Sequence, residues 1–203
     1  LIAVSLDEGD RLAWVRLTSG EDQLIVATRQ GMAIRFNETD ARVLGRTARG
    51  VRALNLEEDD IVVGMVPVME NTTVLTVSEN GQGRRTDPAE YRLQSRGGKG
   101  IKNYDTQKNG PVAGVLAVGE EDDVILISDD GIIIRIPVAE ISTQSRYAGG
   151  VRVMRIGEGS RLVSLCRAPH EDEEEAAAES EAPAEAEAPA EETADSTETP
   201  VEE

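Results

Sequence analysis

The sequence predicts an all-β protein, a propeller-like array of four-stranded blades of about 50 residues each, followed by a disordered acidic tail. Three observations support this prediction. Residues 11–60, 61–110 and 111–160 align without a gap, β-branched runs in each unit flank glycine turns, and acidic residues are concentrated at the C-terminal end. A repeat of this length that contains several short strands is typical of a propeller blade.

Each unit contains a predicted hairpin. The runs QLIVAT, TVLTVS and DVILIS are followed by a turn at Gly31, Gly81 or Gly131 and then by a second run, such as MAIRF or IIIRI. Glycine readily adopts the positive φ angle that tight hairpin turns require. Further strands are predicted at the start of a unit, as in RLAWVRLT (11–18), and at its end, as in VRALNL (51–56).

The repeat also predicts how the chain is organised. Its first residues match the end of a unit and its residues after 160 match the start of one, so we expect a fragment of a longer array. The predicted segments are the end of a preceding blade at 1–10, blades at 11–60, 61–110 and 111–160, a closing strand at 161–169 and the tail at 170–203.

Charge is distributed unevenly along the chain. The formal net charge is −18, but residues 170–203 contain 15 acidic and no basic residues, whereas the remainder has 24 acidic and 21 basic residues. A segment rich in Glu, Ala and Pro buries too little apolar surface to offset the entropy cost of ordering, so we expect a disordered tail. The remainder is nearly neutral, and recurrent cations within it are therefore informative.

Other residues exclude several classes of protein. Cys166 lies in an apolar run, which predicts a core position, and a single cysteine fits a reducing cytoplasm and no internal disulfide. Neither a membrane span nor a signal peptide is visible. The acidic runs 57–60 and 120–123 lack the ligand spacing of a calcium loop and are predicted turns.

No catalytic, metal or nucleotide motif is found in the sequence. The three tyrosines Tyr91, Tyr104 and Tyr147 are interpreted as packing or rim residues. His170, the only histidine, lies at the start of the predicted tail and is not interpreted as a catalytic or metal-binding residue. We therefore expect no catalytic residue, metal or cofactor in this chain.

One segment of each unit, between the hairpin and the last strand, is basic: 41–52, 91–102 and 141–152. Equivalent positions of an array lie along one rim, so these segments predict a basic stripe that follows a polyanion such as DNA. The predicted DNA-binding residues, with two arginines of the second hairpin included, are Arg42, Arg46, Arg49, Arg52, Arg84, Arg85, Arg92, Arg96, Lys99, Lys102, Arg146, Arg152 and Arg155.

The most distinctive basic run is QSRGGKG, at 94–100. Its glycines would let the backbone turn sharply and bring N–H groups to a phosphate, while its two cations supply charge. The alternative is a loop that mainly closes its blade. The run consists of Gln94, Ser95, Arg96, Gly97, Gly98, Lys99 and Gly100.

QSRGGKG resembles the seven-residue box Gln-Arg-Arg-Gly-Gly-Lys-Gly of the C-terminal domain of the DNA gyrase A subunit. The surrounding stretches IRFNETDARVLGRTARGVRALNL and ENGQGRRTDPAEYRLQSRGGKGIK are similar to later blades of that domain. The resemblance covers roughly residues 1–168. It departs from the family at Ser95, which replaces an arginine of the box, and in the position of the box in a late blade rather than the first.

The resemblance implies a β-pinwheel that wraps double-stranded DNA with positive handedness and supports ATP-dependent negative supercoiling by a type IIA topoisomerase. The implied partners are the rest of the A subunit together with the gyrase B subunit, in a cytoplasmic A₂B₂ heterotetramer without a membrane contact. ATP and Mg²⁺ would be used by the partner subunit. Two alternatives stay open: the corresponding C-terminal domain of topoisomerase IV, a decatenating enzyme, and a protein-binding propeller scaffold.

Overall fold

The computed structural model describes residues 3–170, and the predicted tail lies outside them from residue 171 onward. The described residues form antiparallel strands, as predicted, with one short α-helix, α1 (Thr106–Asn109), and three single-turn 3₁₀ helices at Glu38–Asp40, Pro88–Glu90 and Val138–Glu140. No helix among them is long and apolar enough to cross a membrane. The strands are β1 (Gln23–Thr28), β2 (Met32–Asn37), β3 (Val62–Val68), β4 (Thr73–Ser78), β5 (Gln82–Thr86), β6 (Ile101–Lys102), β7 (Val112–Val118), β8 (Asp122–Ser128), β9 (Ile133–Pro137), β10 (Val151–Arg152) and β11 (Leu162–Pro169).

The three predicted hairpins are confirmed. β1 pairs with β2, β4 with β5 and β8 with β9, each pair antiparallel. At the first turn Gly31 has a φ angle of +86°, and a Cβ atom there would lie 2.5 Å from the carbonyl oxygen of Tyr104. Glycine is therefore required at this turn both for the backbone angle and for the close approach of a later segment.

The sheets do not coincide with the fifty-residue units. The first sheet has the order β3-β1-β2-β6, the second β10-β5-β4-β7 and the third β11-β8-β9. Each sheet thus takes its hairpin from one unit and its other strands from the next unit along the chain. The strands that close the first two sheets, β6 and β10, are only two residues long.

Two predicted strands, at 11–18 and 51–56, are absent from the described residues, so these predictions were wrong. The equivalents of 11–18 are β3 and β7, and each of them pairs with the hairpin of the preceding unit. The equivalents of 51–56 contain β6 and β10, which pair with β2 and β5 in the same way. Within residues 3–10, the structure describes no hairpin that could supply such a partner.

Aliphatic side chains pack between neighbouring sheets. Ile25 and Val66 of the first sheet lie in one cluster with Val74 of the second, and Leu75 of the second lies with Leu126 of the third. Such cores are close-packed and fix the sheets relative to one another.

Cys166 is exposed, so the predicted core position was wrong. It belongs to β11, where Leu162 alone is fully buried. Among the described residues, β7 packs between β3 and β11. Strand β11 therefore has β7 on one side and, within residues 3–170, no equivalent strand on the other, which leaves Cys166 exposed.

Candidate nucleic-acid interface

The box loop is docked on the end of the preceding unit. The Gly97 N–H donates to the carbonyl oxygen of Ala53 at 2.6 Å, and the Asn55 N–H donates to the carbonyl oxygen of Gly98 at 2.9 Å. Arg96 extends this contact, because its Nη1 donates to the carbonyl oxygen of Arg52 at 3.1 Å and its Nε to that of Asp40 at 2.8 Å. The box therefore brings the basic segments of two units together.

The same contact recurs fifty residues later. Nε of Arg146 donates to the carbonyl oxygen of Glu90 at 3.3 Å, and its Nη1 donates to the carbonyl oxygen of Lys102. The Arg146 N–H also donates to the Glu90 carboxylate at 2.7 Å. Arg146, Glu90 and Lys102 are the repeat equivalents of Arg96, Asp40 and Arg52.

The predicted basic segments thus lie side by side in consecutive order, and we call them the basic stripe. Nine of its cations are exposed, whereas Arg96 and Arg146 are half-buried by the carbonyls that they contact. The stripe consists of Arg42, Arg46, Arg49, Arg52, Arg92, Arg96, Lys99, Lys102, Arg146, Arg152 and Arg155.

Within residues 3–170, three stripe cations form ion pairs at the surface. Arg49 contacts Asp7 at 2.9 Å, Lys99 contacts Glu57 at 2.9 Å and Lys102 contacts Asp105 at 3.3 Å. Hydrogen bonding and attraction to Glu57 raise the pKa of Lys99 from its ordinary value. Exposed pairs of this kind contribute little free energy, so a phosphate can replace the carboxylate.

Other stripe cations have no carboxylate partner in the part of the chain that the structure describes. Within residues 3–170, no carboxylate lies within ion-pair distance of Arg42, Arg46, Arg152 or Arg155. The guanidinium of the stripe residue Arg146 also lies 4.6 Å from the ring centroid of Tyr147, which is 77% exposed. Among the described residues, the stripe therefore presents cations without a carboxylate partner together with the exposed ring of Tyr147.

Arg84 and Arg85 do not belong to the stripe, and their prediction as DNA contacts was wrong. Both side chains are buried, so neither can reach a phosphate. Arg85 donates from Nε to the carbonyl oxygen of Ile141 and from Nη1 to Glu120. The hydrogen bond from Arg85 holds the pKa of Glu120 below its ordinary value.

Sequence reasoning missed the role of the arginine that recurs in each second hairpin strand. Nη1 of Arg35, the equivalent of Arg85, donates to the carbonyl oxygens of Pro88 at 2.6 Å and Tyr91 at 3.2 Å. Arg35 and Arg85 therefore both hold the backbone of the following unit. The recurrence of this arginine every fifty residues is visible in the sequence. Recurrence does not show whether the side chain is buried or exposed, so its structural role could not be predicted.

Two glycines of the box are required by the geometry of the backbone. Gly97 and Gly100 have φ angles of +82° and +75°, whereas Gly98 has no positive φ angle. A Cβ atom at Gly100 would lie 2.4 Å from the carbonyl oxygen of Ala33. The sequence predicted that the Gly97 N–H would contact a phosphate. Because this N–H donates to the carbonyl oxygen of Ala53, it is not available for that contact.

The tyrosines and the two acidic runs follow their sequence interpretation. Tyr91 and Tyr104 are buried, and Tyr147 lies on the stripe. The acidic runs 57–60 and 120–123 both contain turns. Within residues 3–170, no group of three or more His, Cys, Asp or Glu side chains is placed to hold a metal ion.

Antiparallel sheets that exchange strands between successive units, with a basic stripe along them, define a β-propeller of the pinwheel kind. The sequence matches the family described as DNA gyrase C-terminal domain, beta-propeller, over residues 22–69, 72–118 and 122–165. The chain belongs to this family. Each matched segment runs from a hairpin to the first strand of the next unit, as the three sheets do.

The chain is similar to parts of longer proteins. The DNA gyrase A subunit of Halalkalibacterium halodurans is 60% identical over 55 residues, 27% of this chain and 7% of that protein. The DNA gyrase A subunit of Haloquadratum walsbyi is 46% identical over 80 residues, 38% of this chain and 9% of that protein. The matches thus span less than a tenth of either relative.

Solved structures show the same fold. A DNA gyrase A C-terminal domain has a TM-score of 0.74 at 30% identity, over 82% of this chain and 57% of that chain. The C-terminal domain of a DNA topoisomerase IV has a TM-score of 0.78 at 24% identity, over 88% of this chain and 56% of that chain. The second likeness is one of fold alone.

Proposed function

We propose that the basic stripe binds double-stranded DNA through its phosphates and wraps the duplex without reading its bases. The observation that carries this proposal is the repeated contact of Arg96 with Arg52 and of Arg146 with Lys102. These contacts fix cations of successive units at repeating positions, and a duplex offers phosphates at regular intervals.

Base recognition is not part of the proposal. The longest helix of the described residues has four residues, too few for a recognition helix in a major groove. Proteins that bind only the backbone obtain their selectivity from the shape and deformability of DNA. Tyr147 adds a ring beside the stripe, where a sugar or an unstacked base can contact it.

The parent protein would be the A subunit of a DNA gyrase, and wrapping would support its ATP-dependent negative supercoiling. The family match and the gyrase relatives support this assignment. Supercoiling would require the remainder of the A subunit, the gyrase B subunit, which would use ATP and Mg²⁺, and assembly as an A₂B₂ heterotetramer in the cytoplasm. Catalytic residues would lie in those parts.

A decatenating topoisomerase IV is the second candidate, favoured by the fold shared with its C-terminal domain. The reconstituted parent enzyme separates the two. Gyrase introduces negative supercoils into relaxed plasmid with ATP, whereas topoisomerase IV decatenates linked circles without introducing supercoils.

The proposal is tested by titrating the 203-residue chain with mixed-sequence duplexes at several salt concentrations. If about five stripe cations contact phosphates, log K falls with log salt with a slope of about −4.5. Wrapping is measured by closing nicked plasmid with ligase in the presence of the chain and counting the change in linking number. A slope near zero or preference for one short sequence would contradict DNA wrapping and favour a protein-binding scaffold.

A further inference from the structure

The junction between the first and second sheets contains a buried polar cluster beside its aliphatic side chains, and we call it the polar junction; the junction between the second and third sheets has aliphatic side chains at the same positions. The same repeat positions build both junctions, so the difference lies in the residues alone. Thr76, Arg84, Thr86, Tyr91, Asn103 and Tyr104 of the polar junction correspond to Leu126, Ile134, Ile136, Ile141, Val153 and Met154 of the aliphatic one.

Arg84 lies at the centre of the polar junction and is fully buried. Its Nη2 donates to the carbonyl oxygen of Arg146 at 2.8 Å and to that of Asn103, and its guanidinium lies 4.8 Å from the ring centroid of Tyr104. Within residues 3–170 it forms no ion pair, and its Nε and Nη1 have no hydrogen-bond partner. Burial lowers the pKa of Arg84 from its ordinary value.

Burying a cation without a carboxylate partner costs desolvation free energy, so it destabilises the packing of two sheets relative to an aliphatic side chain. The equivalent positions in the other two units carry Ile34 and Ile134, so an aliphatic side chain fits this place in the fold. Sheet packing alone therefore does not explain an arginine at this position. The two backbone carbonyls that accept its hydrogen bonds indicate a second role, in holding the loops to which they belong.

Both acceptors of Arg84 adjoin the basic stripe. Asn103 directly follows Lys102, and Arg146 is itself a stripe residue. The surrounding polar groups hold the same backbone: the Asn103 N–H donates to the carbonyl oxygen of Gly31 at 2.7 Å. The Tyr104 hydroxyl donates to the carbonyl oxygens of Gln82 at 3.1 Å and Gly149 at 3.3 Å.

We propose that Arg84 is a positioning residue for the basic stripe: its buried guanidinium fixes the backbone at Asn103 and Arg146 and thereby sets Lys102 and Arg146 for a DNA backbone. Arg84 itself does not touch DNA. This proposal rests on the proposed DNA binding for its consequence, but the fixing of the two loops is independent of any ligand.

The test compares Arg84→Met with Ile134→Met, the matched substitution in the aliphatic junction, in the 203-residue chain. Arg84→Met removes the donors and leaves two stripe loops to be ordered on binding, which weakens affinity for mixed-sequence duplex about threefold to tenfold. The slope of log K against log salt stays unchanged, because no phosphate contact is lost. Ile134→Met leaves affinity and slope unchanged.

Hydrogen exchange gives a readout without DNA. Amides of residues 101–104 and 145–149 exchange faster in Arg84→Met than in the parent chain, and keep their rates in Ile134→Met. Unchanged exchange and affinity in Arg84→Met would overturn the proposal. A slope reduced by about 0.9 would overturn it too, since that loss marks a direct phosphate contact. If the parent chain does not bind DNA, the proposed function fails, and the exchange rates still decide the positioning role.

Arg84→Lys serves if the methionine variant does not fold. It keeps the positive charge and hence the long-range attraction to DNA, but not the planar guanidinium that contacts both carbonyls. We expect faster exchange at the same amides and weaker affinity in this variant. Parent-like exchange and affinity in a folded Arg84→Lys variant would show that charge, rather than fixed geometry, is what matters.

Discussion

Arg96 and Arg52 are held together by a hydrogen bond, from Nη1 of Arg96 to the carbonyl oxygen of Arg52 at 3.1 Å, across 44 residues of sequence. The bond joins the cation of the box to the basic segment of the preceding unit. The Arg96 guanidinium is thereby held against the backbone of another stripe residue, and a polyanion stabilises positive charge that is grouped in this way. The box arginine thus has a structural role as well as a contribution to the charge of the stripe.

Replacing Arg96 tests this structural role. Arg96→Ala removes hydrogen bonds to the carbonyl oxygens of Asp40 and Arg52, so we expect a loss of about 1–2 kcal/mol in the free energy of unfolding. Arg46→Ala is the matched control, since Arg46 occupies the equivalent position and is exposed. Urea unfolding should place the control within about 0.5 kcal/mol of the parent chain. Equal stabilities of the two variants would contradict the structural role.

A cation that only contacts phosphate behaves differently. Arg152→Ala should leave stability unchanged and reduce the salt slope of DNA binding by about 0.9, because Arg152 is exposed and no ion pair holds it within residues 3–170. Arg167→Ala is the control, because it removes the same charge from a site outside the stripe. Arg167 belongs to β11, which forms one edge of the third sheet, whereas β9 forms the other edge. Fluorescence anisotropy at several salt concentrations should show a reduced slope for Arg152→Ala alone. Equal slopes for both variants would place Arg152 off the DNA path.

Two glycines of the box should respond differently to the same added methyl group. Gly100→Ala forces alanine to a φ angle of +75° and puts its Cβ 2.4 Å from the carbonyl oxygen of Ala33, so we expect destabilisation of about 1–3 kcal/mol. At Gly98 the nearest atom is 3.8 Å away and the φ angle is not positive, so Gly98→Ala should cost less than about 1 kcal/mol. Thermal unfolding measures both. A more damaging change at Gly98 would contradict the backbone geometry described above.

Acid should weaken the contact between Arg85 and Glu120. Because the hydrogen bond from Arg85 lowers the folded-state pKa of Glu120, this contact stabilises the fold above the ordinary glutamate pKa of about 4.3. The contribution is lost as the pH falls through the folded-state value. Glu120→Gln should therefore make stability less dependent on pH below about pH 5. Parallel stability curves for the parent chain and Glu120→Gln between about pH 3 and 5 would exclude this linkage.

The acidic tail, residues 170–203, gives a prediction that rests on the sequence alone. Its 15 carboxylates exceed the eleven cations of the stripe, and a tethered chain has a high effective concentration at nearby sites. Deleting residues 171–203 should tighten DNA binding at low salt, and the gain should shrink as salt screens both contacts. Binding isotherms of the full and truncated chains measure this effect. Identical affinities at low salt would leave the segment without a role in DNA binding.

The hairpins could be predicted because their determinants are local. β-branched runs such as QLIVAT and TVLTVS and the glycine turns at Gly31 and Gly81 specify a strand, a reversal and a second strand within about fifteen residues. The basic segments could be predicted for a similar reason, since a fifty-residue repeat places equivalent residues at equivalent positions. The gapless repeat therefore determined the fold class, the hairpins and nine exposed cations of the stripe.

The tertiary structure alone decided which strands share a sheet and which arginines reach solvent. Strands β3 and β6 pair with β1 and β2, the hairpin of the preceding unit. The outer edges of that hairpin carry backbone N–H and C=O groups that need hydrogen-bond partners, and the next unit supplies them. Arg84 and Arg85 are adjacent in a basic sequence but are buried among the carbonyls of a later unit. Burial is a property of the packed sheets, so a cation that binds backbone and one that meets phosphate cannot be told apart until the units are assembled.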